Sequence, residues 1–203
     1  MCGRYVLFTD EEEDDIADIV HEIQRNLANE GKDGAETLRT NGEIFPTQFV
    51  PIITAKGPTA MYWGLPGWSQ GESAKAARPI INARAETVFD KPSFRQSMLT
   101  RRCVIPSHGF FEWRKTTDGK KEKLLFRQPD QRSLFMAGLY NIYENELRFT
   151  ILTTAANDSM HLIHDRMPVI ILPSEFPAFF DDVKLARNIV ERVPPELFYK
   201  SIA

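Results

Sequence analysis

What most constrains this chain is a succession of short β-prone runs that begins only at Phe49 and continues to Leu172. They are Phe49 to Ile53, Ala60 to Trp63, Pro79 to Asn82, Cys103 to Ile105 and Gly109 to Trp113. After these come Lys123 to Gln128, Ser133 to Ala137, Leu147 to Thr153 and Pro168 to Leu172. Each is rich in β-branched and aromatic residues and is set off by turn-forming residues, so most are predicted strands. Thr117-Asp-Gly-Lys120 lies between two of them, and Asp-Gly supplies the positive φ that a tight hairpin turn needs.

Helical patterns flank and interrupt these runs. Thr9-Asp-Glu-Glu12 is a capping box, and Ile16, Ile19, Val20, Ile23 and Leu27 then recur at helical spacing. Further helices are predicted near Lys91 to Arg101, Asn157 to Ile163 and Ser174 to Arg192. Gly31 to Gly42 is polar and aperiodic, and predicts a loop. With no internal repeat and no linker, residues 1–203 are expected to form a single α+β domain, a curved mixed sheet or barrel-like β core surrounded by helices.

Composition narrows the function classes. Apolar residues make up 42% and charged residues 26%, the profile of a globular protein. No run approaches the roughly eighteen apolar residues of a membrane helix, and the start has no signal-peptide pattern, so a cytoplasmic location without membrane attachment is expected. The two cysteines, Cys2 and Cys103, have no paired spacing that would suggest a disulfide framework or a zinc ribbon. The net charge of -3 hides an uneven distribution. Residues 9–36 hold eleven acids against two bases, whereas residues 78–127 hold twelve bases against five acids. The basic middle is available for phosphates.

Several residues could carry chemistry. Removing Met1 would leave Cys2 with an α-amine and a thiol, which titrate at about pH 8 and about pH 8.5. Such a pair can take an aldehyde first as an imine and then as a five-membered ring, although a chance cysteine at a frayed terminus would read the same way. Gly109-Phe-Phe-Glu112-Trp113 puts an acid in an otherwise apolar run, a candidate general base, against the alternative of a solvent-facing edge residue. In Ile163-His164-Asp165-Arg166-Met167-Pro168, His164 could serve as acid or base and Arg166 could grip a phosphate. His161 and His164 lack a third ligand at useful spacing, so no metal is expected, and nothing asks for an organic cofactor. Asn82, Arg84 and Glu86 would share a face if Asn82-Ala-Arg84-Ala-Glu86 stayed extended, with an Arg84–Glu86 ion pair as the plainer reading. Around Trp63-Gly-Leu-Pro-Gly-Trp68, Trp63 suits the core and Trp68 suits stacking on an unpaired base.

The order of these pieces resembles the SOS-response-associated peptidase (SRAP) family, the abasic-site processing proteins of bacteria and eukaryotes. The matching segments are Cys2-Gly3-Arg4-Tyr5, Phe45-Pro46-Thr47, Trp63-Gly64 with Trp68, Asn82 to Thr87, and Arg102-Cys103 with Pro106. They continue with Gly109 to Trp113, Leu152-Thr153-Thr154-Ala155 with Asn157, and Ile163 to Pro168, and so span nearly the whole chain. The resemblance implies that Cys2, freed of Met1, bonds the ring-opened sugar of an abasic site in single-stranded DNA as a thiazolidine. It implies that Glu112 manages protons on the amine and assists release of Met1, and that His164 protonates the sugar ring oxygen. Asn82 would orient the amine and sugar, and Thr153 would add a hydroxyl to the pocket. Arg4, Arg84 and Arg166 would contact phosphates, while Pro46 and Trp68 would line the DNA channel. Ser69 stands where the family usually has a second aromatic residue. A monomer is expected.

Two other functions fit the same residues. One is a thiol peptidase acting in trans, with Cys2 as nucleophile and His164 or Glu112 as base. The other is a non-covalent binder of modified DNA.

Overall fold

Nearly all of the β-prone runs form strands in the computed structural model, which describes residues 2–8, 15–29, 37–67, 78–129 and 132–202. In chain order the first elements are β1 (Tyr5–Leu7), α1 (Asp15–Asn29), β2 (Gly42–Ile44), β3 (Phe49–Thr54), β4 (Gly57–Trp63) and β5 (Asn82–Arg84). Next come α2 (Pro92–Thr100), β6 (Arg102–Ser107), β7 (Gly109–Lys115), β8 (Lys121–Arg127) and β9 (Leu134–Tyr143). The last are β10 (Glu146–Ala155), β11 (Arg166–Pro168), β12 (Ile170–Ile171), α3 (Phe176–Asp181), α4 (Val183–Glu191) and β13 (Phe198–Ile202).

Five strands close on themselves: β10 pairs with β4, β4 with β3, β3 with β6, β6 with β9, and β9 returns to β10. The expected barrel-like core is therefore a closed barrel, with the β4–β10 seam parallel and the other four pairings antiparallel. Closure leaves no edge within this ring. Pairs two residues apart, which share a strand face, are fully buried: Val50 and Ile52, Met61 and Trp63, Cys103 and Ile105, Phe149 and Ile151. The long β9–β10 hairpin turns at Glu144 and Asn145, both at positive φ, which suits the twist of the strands it joins. Helix α1 lays Ile23, with Ile19 and Leu27, over Leu38, Phe49 and Ala60 on the outside of the barrel.

A second sheet runs in the order β13-β8-β7-β1-β2. The chain passes from barrel to sheet at His108, between β6 and β7. Gly109 begins β7 at φ +144, and a side chain there would strike the carbonyl oxygen of Phe126, so only glycine admits this crossing. The sheet has two unlike faces. Tyr5, Phe110, Leu124 and Phe126 belong to the main core, while Val6, Phe111 and Leu125 form a separate cluster on the other side with Trp113 and Ile202.

Local competition changes some of the predicted elements. Asn157 to Ile163 forms successive turns rather than a helix. The Asn157 side chain is committed elsewhere: its amide donates to the Pro194 and Pro195 carbonyls, and its oxygen accepts from the Ser159 amide and hydroxyl. Ser174 to Arg192 divides at Asp182, which caps α4 by accepting from the amides of Lys184 and Leu185. Pro79 to Asn82 enters the ladder late: Ile80 bridges only to Leu65, and regular pairing with β10 begins at Asn82. The capping box Thr9 to Glu12 lies outside the described residues.

Candidate active site between the two sheets

Cys2 sits fully buried where the inner face of the second sheet meets the barrel. Chain ends usually fray, so such burial needs a tether. Asn82 at the head of β5 supplies it, its Nδ2 donating to the Cys2 carbonyl at 2.9 Å. Trp63 steadies this strand from below, its indole N–H donating to the Ile81 carbonyl at 3.1 Å. The Tyr5 ring packs against Trp63, with centroids 5.3 Å apart. Trp63 is thus a core residue, as its place in the sequence suggested, and it also supports the site.

Glu112 reaches the same space from β7. Alternation along the strand puts Phe110 and Glu112 on the inner face and Phe111 and Trp113 on the outer one. Glu112 is 6% exposed and acts electrostatically on the Cys2 thiol. Burial first, and Glu112 second, push that thiol up to about 12. In this setting the sulfur is held as a neutral thiol at neutral pH.

On the barrel side, β10 places Thr153 opposite Arg84 on β5 and opposite Pro168 on β11. The segment Ile163 to Pro168 thereby lies across β10 from the Asn82 strand. The Arg166 guanidinium forms a bidentate pair with Glu86, at 2.5 and 2.9 Å, and also donates to the Thr153 carbonyl at 2.5 Å. This pair holds the Glu86 carboxyl below its usual range. The plainer expectation of an Arg84–Glu86 pair is corrected here: extension ends at Arg84, Glu86 lies in the 3-10 turn Ala85–Thr87, and its partner is Arg166. Arg84 is left exposed at the mouth of the β5–β10 seam.

His164 is partly buried and sits two residues before Arg166. The Arg166 amide donates to its Nδ1 at 2.9 Å, while the exposed Asp165 carboxylate lies 2.8 Å from the same nitrogen. One ring nitrogen cannot both accept from the first and donate to the second. The amide proton is fixed in the backbone and the Asp165 side chain is free to swing, so we assign Nδ1 as acceptor, which puts the proton of the neutral ring on Nε2.

The remaining predicted residues lie elsewhere. Arg4 projects from the outer face of β1, where it donates to Glu43 at 3.0 Å and lies 4.3 Å from the Phe45 ring centre and 5.0 Å from that of Trp113. Pro46 occupies the adjoining turn, closed by the Gln48 amide donating to the Phe45 carbonyl at 3.3 Å and tied to β4 by the Thr47 amide donating to the Trp63 carbonyl at 2.8 Å. Trp68 and Ser69 lie outside the described residues. Among the described residues no group of three His, Cys, Asp or Glu is placed to hold a metal ion. Sequence reasoning singled out neither Tyr5 nor Glu43 by itself. Alternation through Gly3-Arg4-Tyr5-Val6 is the signal that could have turned Tyr5 toward Cys2.

The family model for SOS response associated peptidase (SRAP) matches residues 1–197. The chain belongs to this family. SRAP relatives include the abasic site processing protein YoqW of Bacillus subtilis, 36% identical over 181 residues, covering 84% of this chain and 76% of YoqW. The abasic site processing protein YedK of Escherichia coli is 28% identical over 182 residues, with 85% and 76% coverage. A solved protein from Bacteroides thetaiotaomicron shares the SRAP fold seen here, with a TM-score of 0.78 at 24% identity, covering 100% of this chain and 92% of that one.

Proposed function

We propose that this SRAP protein processes abasic sites in single-stranded DNA by bonding to them through Cys2 once Met1 is gone. The observation that carries this reading is the burial of Cys2, its tethering by Asn82 and the proximity of the buried Glu112 to its thiol. Relatives named as abasic site processing proteins point the same way.

Met1 blocks the Cys2 amine, so hydrolysis of the Met1–Cys2 bond comes first, with Glu112 as the base beside that bond. His164, with its proton on Nε2, then protonates the ring oxygen as the abasic sugar opens to its aldehyde. The Cys2 amine attacks the aldehyde carbon, and Glu112 carries protons as the carbinolamine loses water to give an imine. The thiol adds across that imine: the carbon–sulfur bond forms, the C=N bond becomes single, and the sulfur's proton ends on nitrogen. One water is lost overall and the product is a thiazolidine. Asn82 holds the Cys2 carbonyl so that amine and thiol face one carbon, and Thr153 lines the pocket. Exposed Arg84 takes a phosphate directly, whereas Arg166 does so only by exchanging Glu86 for it. Arg4 and Pro46 guide the strand past the outer rim, and the protein works as a monomer.

The test is intact mass of the purified protein to establish loss of Met1, then incubation with a single-stranded oligonucleotide carrying one abasic site, resolved on a denaturing gel beside Cys2→Ala. A shifted band at the summed mass less one water, absent from the variant, is expected. No band from protein shown to lack Met1 would overturn the reading.

A further inference from the structure

Two buried polar atoms beside Cys2 have no hydrogen-bond partner, the Tyr5 hydroxyl and Oδ1 of Asn82, and the hydroxyl of Thr153 on β10, which pairs with the Asn82 strand, is a third. Such atoms destabilise a fold, and a cluster of them beside a nucleophile indicates groups kept for a reacting molecule. Tyr5 stands out because it is fully buried and its strand fixes where it points. Arg4 and Val6 face outward, so Tyr5 faces inward, and its register partner Phe110 is two residues from Glu112 on the same face. Tyr5 and Glu112 thus rise side by side from β1 and β7 toward Cys2. The Asn82 amide is already committed to the Cys2 carbonyl.

We propose that Tyr5 is a positioning residue of this site: its hydroxyl donates a hydrogen bond to the Cys2 sulfur as the sulfur adds to the imine, holding it on the line of attack. The inference rests on the crosslinking reading above. The sulfur begins as a neutral thiol, and as its proton leaves for the imine nitrogen by way of Glu112, negative charge gathers in a dry pocket beside a carboxylate. A neutral donor facing that charge lowers its cost without consuming the proton. Tyr5 suits this role because burial first, and Cys2 second, raise its hydroxyl well above the ordinary phenol value. It keeps its proton throughout, so no base function is assigned to it. Glu112 from β7 and the Arg4 carbonyl, to which the thiol donates at 4.0 Å, act on Cys2, and Cys2 in turn acts on Tyr5 from β1.

The test compares Tyr5→Phe with the unchanged protein, both freed of Met1. The phenylalanine ring keeps the packing on Trp63 and removes only the unpartnered hydroxyl, so the variant should melt no lower. Two rates are read across pH 6 to 10: thiazolidine formation on an abasic oligonucleotide, and alkylation of Cys2 by iodoacetamide without DNA. The expected result is ring closure slowed about tenfold or more. Imine trapped by borohydride should accumulate in the variant, and the alkylation profile should shift to higher pH. Equal ring closure and equal alkylation in the two proteins would overturn the inference. If neither protein crosslinks but alkylation still shifts, the abasic-site reading falls while the role of Tyr5 toward the sulfur stands. Should the variant fail to fold, a fluorotyrosine at position 5 keeps the ring and strengthens the donor. Ring closure at or above the original rate is then expected, and slower closure would overturn the role.

Discussion

The two faces of the second sheet carry polar groups in opposite ways. On the outer face charges meet partners: Glu43 takes both Arg4 and Lys123, and these cations lie over Phe45, Trp113 and Phe111. Against the inner face, the Tyr5 hydroxyl from the sheet and Asn82 Oδ1 from the facing barrel strand are buried without a hydrogen-bond partner beside the Cys2 thiol. A paired, half-exposed network is neutral scaffolding for a sheet, whereas unsatisfied polar atoms in a dry pocket persist only where something else selects them. The comparison assigns chemistry to the inner face and support to the outer one.

The strongest way to break that assignment is Glu112→Gln. The amide fills the same volume but cannot take a proton, so crosslinking, followed on denaturing gels, should slow by about a hundredfold or more while the melting temperature changes little. A variant that crosslinks normally would remove Glu112 from the chemistry. Asn82→Ala is milder. It frees the Cys2 carbonyl and loosens the tether, with an expected loss of about tenfold in single-turnover crosslinking, rising toward normal in Asn82→Gln only if the longer amide reaches the same oxygen.

The sequence made the barrel strands and the order of site motifs legible because both are local: β-prone runs and short constellations need only neighbours in the chain. The non-local parts were not legible. β1 and β2 are three residues each, and β13 lies mostly exposed, so none carries a periodic signal. The partner of Glu86 is 80 residues away, and nothing in Asn82-Ala-Arg84-Ala-Glu86 says that extension stops at Arg84. Likewise Tyr5 gains meaning only when β1 is paired to β7 and the inner face is known.

A third prediction concerns alkali. Burial raises the thiols of Cys2 and Cys103 above 9.0, as it does the Tyr5 hydroxyl above 10.0. An unfolded chain releases these protons earlier than the folded one, so the folded state binds more protons above pH 9. Stability is therefore full below pH 9 and falls above it, by about 1.4 kcal/mol per pH unit for each thiol ionised only on unfolding. Melting temperatures between pH 8 and 10.5 check this. Cys103→Ala should flatten the slope, even as it lowers stability at neutral pH by leaving a cavity beside Gly138.

The smallest effect sharpens the comparison from the other side. Burial raises the Glu43 carboxyl, but hydrogen bonds from Lys123 and Arg4 outweigh this and leave it below its usual 4.5. Its stabilisation is thus present above about that pH and is lost as pH falls through the folded value. Because Glu43 is 34% exposed, solvent screening limits the gain to about 1 kcal/mol or less. Glu43→Gln should lower stability by that amount at pH 7, shrink the difference in acid, and leave crosslinking at saturating DNA unchanged. Were crosslinking to fall with it, the outer face would be feeding charge through the sheet into the pocket, and the separation of the two faces would have to be abandoned.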